Sequence, residues 1–171
     1  MAVERTAVNP VKWSVEMGFN QGEVVSGHTR TLYVSGQTAM SDDGKPQHDG
    51  DMAAQLTLSV DNLEAVLGEA GMSLANLVRL NVYTTDVDLL LQHYGVLAAR
   101  LGAAGVAPTS TMLGVTRLAI PGQMVELEAV SYSWTATSPA VPRRSSLGGP
   151  RPPPRSMSAH PCHHRSSRFR S

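Results

Sequence analysis

The final apolar run of the chain, Met124 to Trp134 (MVELEAVSYSW), alternates with a period of two. Val125, Leu127 and Ala129 fall on one face and Glu126, Glu128 and Val130 on the other, the pattern of a strand covered on one side. Such a strand needs neighbours to pair with and a layer to pack against, which confines the chain to layered sheet architectures. Leu77 to Thr84 alternates in the same way, with Val78, Leu80 and Val82 opposite Arg79, Asn81 and Tyr83. A further strand is expected from about Ser110 to Thr116, directly after Pro108. Gly22 to Ser26 and Thr31 to Gly36 read as two more, joined by a hairpin turn at Gly27-His28-Thr29-Arg30.

Helical periodicity fills the gaps. Leu56, Val60, Leu63 and Leu67 recur at spacings of four, three and four, predicting a helix from near Asp51 to a left-handed stop at Gly71. A second helix is expected from about Asp86 to Leu101, burying Leu90, Tyr94, Leu97 and Leu101. The order is ββαβαββ, an α/β (α+β) fold with two helices on one face of a single mixed sheet. The opposite face, carrying Glu126, Glu128 and Val130, is only half polar, so self-association is expected.

The 171 residues carry 14 basic and 14 acidic side chains, but the balance is uneven. Seven arginines, Arg143 to Arg170, lie beyond residue 135 with no acid among them, which leaves the body near −7. That charge disfavours a nucleic-acid face over the body. Three segments are expected: an N-terminal arm at 1–18, a folded domain at 19–135, and a Pro/Arg/Ser-rich tail at 136–171 too poor in apolar residues to order. Cys162, His163 and His164 in that tail lack the spacing of a metal site. The single cysteine excludes an intrachain disulfide. Neither a secretory signal nor a membrane span is recognisable, so a soluble cytoplasmic protein is the expectation. No cofactor is called for: a glycine-rich phosphate loop, a metal-ligand spacing and a serine-histidine-acid set are all missing.

Several short motifs occur in a telling order: Phe19-Asn20-Gln21, Tyr33-Val34-Ser35-Gly36-Gln37, Gln55 with Ser59 and Asn62-Leu63, Gly71, Val78 to Tyr83 with Asp86, Pro108, and Val125-Glu126-Leu127-Glu128-Ala129. Together they resemble the RidA/YjgF family over residues 19–134. The resemblance implies a chorismate-mutase-like fold, a homotrimer whose sheets form a central barrel, and ligand clefts between subunits. It also implies hydrolysis of reactive imines and enamines. In deaminating relatives an arginine after the proline forks the substrate carboxylate, the Ser-Gly backbone donates to the ligand, and the first glutamate of the last strand positions water.

Carried over by motif, Ser35, Gly36 and Glu126 match. Ser110 stands in place of the arginine, Phe19 in place of a tyrosine, and Leu91, aligned by Tyr94, in place of an asparagine. A guanidinium offers two parallel donors and a fixed charge that one hydroxyl cannot replace. Its loss should weaken carboxylate binding by about 10- to 100-fold. Arg117, seven residues from Ser110, is too far along the chain to substitute within one subunit. The expected site therefore has Glu126 as the catalytic carboxylate and Phe19, Ser35, Gly36, Leu91, Ser110, Thr111 and Met112 against the substrate.

Each residue also has a structural reading. Glu126 and Glu128 can serve as acceptors for backbone or side-chain donors across the trimer seam, and for Glu128 that role is preferred. Ser35-Gly36 also reads as a strand-ending turn, Ser110 and Thr111 as ordinary strand residues, and Phe19 as core. Three functions follow: hydrolysis of a small neutral imine or enamine, non-catalytic binding of a small molecule, and RNA cleavage, which the acidic body disfavours.

Overall fold

The computed structural model describes residues 3–134. A strand β1 (Glu4–Val8) leads through a short helix α1 (Trp13–Glu16) to β2 (Gly22–Ser26), followed by β3 (Arg30–Gln37) and the long helix α2 (Met52–Glu69). A 3-10 turn (Leu74–Asn76) leads into β4 (Leu77–Thr84), and helices α3 (Val87–His93) and α4 (Gly95–Ala103) precede β5 (Thr109–Gly114) and β6 (Val125–Ser133). The main sheet has the order β3-β6-β4-β5, mixed because β4 and β5 run parallel while β6 is antiparallel to both β3 and β4.

α2 forms where its stripe requires. Asp51 caps it, accepting a hydrogen bond of 3.0 Å from the Ala54 amide, and Gly71 follows its end at φ +69°. Leu56, Val60, Leu63 and Leu67 are fully buried against Leu80, Val82, Val125 and Leu127. Each such side chain stabilises the fold by about 1.5–3 kcal/mol relative to exposure. Polar side chains then fasten the loops. Gln55, buried on α2, donates to the carbonyls of His48 and Gly122 and accepts from the Met124 amide, which fixes the approach to β6. Asn62 donates to the carbonyls of Thr38 and Met40, fixing the exit of β3.

Three details differ from the sequence expectation. β2 and β3 do not form a hairpin: β2 pairs with β1 in a two-stranded ribbon, with Glu4 opposite Ser26. β1 (ERTAV) has no apolar face and is exposed throughout, so hydrophobic patterning does not reveal it. The ribbon is tied to the body by Arg5, which pairs with Glu23 and donates to the carbonyls of Ala75 and Leu77. The second expected helix is divided at Tyr94, whose amide reaches back three residues to the Leu91 carbonyl before Gly95 opens α4. Segment 1–18, expected as an arm, supplies β1 and α1. The tail at 136–171, with Cys162, His163 and His164, lies outside the described residues.

Candidate functional site

β5 is an edge strand, and its two faces carry different chemistry. On the helix side, Ser110 and Met112 join Phe19, Leu91, Tyr94, Trp13 and Met17 around a hollow of about 410 Å³. Phe19 reaches β5 because Asn20 bridges to Thr109, and Asn20 is itself held by Asn9, whose side chain also accepts from the Gln21 amide. Trp13 meets Phe19 edge to face at 5.5 Å. Among the described residues no charged side chain lines the hollow, and Arg117 is exposed elsewhere.

The Ser110 hydroxyl donates to the Leu80 carbonyl at 3.0 Å. A hydroxyl has one proton to give, so Ser110 turns lone pairs toward any guest. Burial raises the pKa of Tyr94 above the ordinary phenol value. Its hydroxyl has no hydrogen-bond partner among the described residues.

On the other side of the sheet lies a polar row. Glu128 accepts from Asn81 at 3.1 Å and Tyr83 at 2.8 Å. Those two bonds, in that order, hold its pKa below the usual carboxylate range, with help from the nearby Arg79. The same contact pushes Tyr83 up. Arg79 donates to the Thr111 hydroxyl. Glu126, two residues before Glu128, accepts no hydrogen bond from any described side chain. Its carboxylate lies against Gly36: a Cβ there would stand 1.7 Å from Oε1. The room arises at a bulge in β3, where Ser35 and Gly36 fall between the pairs Val34–Ala129 and Gln37–Leu127.

One chain therefore brings together Phe19, Leu91, Ser110 and Met112 in the hollow. Glu126, Gly36, Ser35 and Thr111 do not line it. Glu128 is an acceptor, as preferred for it, but its donors Asn81 and Tyr83 belong to its own chain rather than to a neighbour across a seam. Beside Gly36 the space a side chain would take is filled by the Glu126 carboxylate. Trp13 and Met17 were not foreseen; their spacing of four residues beside Phe19 in WSVEMGF is the signal that identifies them as one wall.

A mixed sheet with helices on one side, an open polar face and a hollow at the edge strand define a recognisable class. Residues 11–133 match the family described as endoribonuclease L-PSP, and the chain belongs to this RidA/YjgF family. It is 30% identical over 117 residues to the RutC family protein YjgH of Escherichia coli, covering 68% of this chain and 88% of that protein. It is 29% identical over 129 residues to the mitochondrial protein mmf2 of Schizosaccharomyces pombe, covering 75% and 98%. The crystal structure of the Rid-family protein YyfB of Yersinia pestis superposes with a TM-score of 0.65 at 29% identity, covering 77% of this chain and 99% of that one.

Proposed function

We propose that this protein is a hydrolase of a small neutral imine or enamine, working as a homotrimer in clefts between subunits. The observation that carries the reading is the contrast between two neighbouring carboxylates. Glu128 is held by Asn81 and Tyr83, while Glu126 has no such partner and is free to orient water. On this reading, Glu126 of one copy meets the edge-strand hollow of the next. An enamine first tautomerises to the imine. Glu126 takes a proton as water adds to the C=N carbon, and the nitrogen is protonated. The C–N bond then breaks, so imine and water become carbonyl compound and ammonia. Substrate selection follows from the Ser110 side, where an uncharged wall and outward lone pairs disfavour a carboxylate.

The test pairs two substrates and one variant. Purified protein should turn over a neutral imine and leave 2-iminopropanoate nearly untouched, and Glu126→Gln should remove the activity. Turnover of 2-iminopropanoate at the rate of arginine-bearing relatives would refute the substrate reading. Loss of all turnover in the native protein, with a ligand-dependent rise in melting temperature, would leave a binding protein. That second reading is favoured by the hollow itself, whose only ionisable side chain among the described residues is a tyrosine. Cleavage of RNA, the activity in the family's description, is disfavoured by a body in which acids outnumber bases by seven. No described helix is long and apolar enough to cross a membrane, which is compatible with a cytoplasmic setting.

A further inference from the structure

We propose that the edge-strand hollow binds a neutral ring-bearing molecule, with its ring against Trp13, Phe19 and Met112 and a hydrogen-bond donor of the ligand against Ser110 Oγ. The inference deepens the reading above and rests on its premise that this hollow is part of the ligand cleft.

Size is the first support. A hollow of about 410 Å³ falls within the range of small-molecule sites. An apolar cavity of about 150 Å³ already accepts benzene, so a ring with a substituent fits here. Wall chemistry is the second. Trp13 and Phe19 stand edge to face at 76°, and Met17 and Met112 contribute polarisable thioethers that contact aromatic edges favourably. Trp13 is 54% exposed and Met17 60%, so a ring seated here removes apolar surface from water that the chain alone does not cover.

Polarity is the third support, and it sets the sense of the hydrogen bonds. Ser110 has committed its proton to the Leu80 carbonyl and can only accept from the guest. Tyr94 is protonated at neutral pH and has an O–H to donate to the guest. A guest with one donor and one acceptor satisfies both groups. A carboxylate satisfies one and confronts the lone pairs of the other. A smaller recess of about 120 Å³ shares Met17 and Tyr94 with the hollow, so a longer substituent has somewhere to go if the unbranched Met17 swings aside.

The experiment uses the full chain carrying Trp134→Phe, which leaves Trp13 as the fluorescent reporter. Benzamide, acetophenone, isobutyramide and benzoate are titrated separately at neutral pH. Benzamide should change Trp13 emission saturably and raise the melting temperature, with benzoate and isobutyramide at least about tenfold weaker. Ser110→Ala should weaken benzamide severalfold and leave acetophenone, which has no N–H, nearly unchanged; a merely structural role for Ser110 would move both together. Tyr94→Phe should weaken both.

Equal binding of benzoate and benzamide, equal binding of isobutyramide, or a Trp13 signal unmoved by any ring would overturn the inference; the last is the result if a neighbouring copy fills the hollow. Failure here is separable from failure of the hydrolase reading. Glu126-dependent turnover of an aliphatic imine without ring binding sinks the ring proposal alone. Ring binding with no Glu126-dependent turnover sinks the hydrolase reading alone.

Discussion

Substituting glutamine for Glu126 keeps the volume of the side chain and removes its charge, so the main sheet should be undisturbed. Turnover of a neutral imine is expected to fall by about 100-fold or more, the scale of a lost general base, with the melting temperature within a degree or two. Gly36→Ala separates position from charge. The backbone at Gly36 is not in the left-handed region, so alanine is conformationally acceptable there. Its Cβ must nevertheless displace the Glu126 carboxylate, which is the mobile end of a side chain and can yield. Activity should drop at least about tenfold with little loss of stability, measured by kcat and thermal melting on the same preparation. Ser110→Arg is the converse experiment: a guanidinium in the hollow should raise affinity for 2-iminopropanoate by about 10-fold or more, read as a lower KM.

At the scale of elements, α2 and its contacts with the sheet dominate stability. Leu63→Ala should cost about 2–5 kcal/mol in denaturant unfolding, because the fully buried site cannot collapse around the loss. The Glu128–Asn81–Tyr83 cluster joins β6 to β4 and makes a pH prediction. The carboxyl of Glu128 has its pKa lowered in the fold, so its contribution is present above the ordinary carboxylate range and is lost as pH falls through the lowered value. The phenol of Tyr83 is raised, so its contribution holds at neutral pH and is lost as pH rises through that value. The melting temperature should therefore decline at both extremes, and Glu128→Gln should flatten the acid side. The helix and strand periods, the helix starts near Asp51 and Asp86 and the stop at Gly71 are all legible in the chain. β2 is legible as a strand, but β1 and the ribbon it forms with β2 are not, since β1 is exposed throughout and the ribbon's docking depends on Arg5 reaching carbonyls some seventy residues away.

For the molecule as a whole, the folded body and the basic tail are expected to be separable. The family match ends at residue 133, and residues 136–171 carry few large aliphatic side chains. Removing residues 136–171 should leave melting temperature, ligand binding and oligomeric state unchanged, with sedimentation reporting a trimer in both forms. Weak RNA retention that disappears with the tail would trace that property to its seven arginines.

Composition and pattern were enough for the layered fold, the buried stripes and the uncharged side chain at Ser110. These follow from local periodicity and from which functional groups a side chain carries, neither of which needs coordinates. Folding settled the rest. Ser110 spends its proton on Leu80, Glu126 takes the space a missing Cβ leaves at Gly36, and Trp13 joins a wall with residues up to 99 positions away. Each of those depends on which segments the sheet order and the β3 bulge bring side by side, a long-range property that no window of sequence contains.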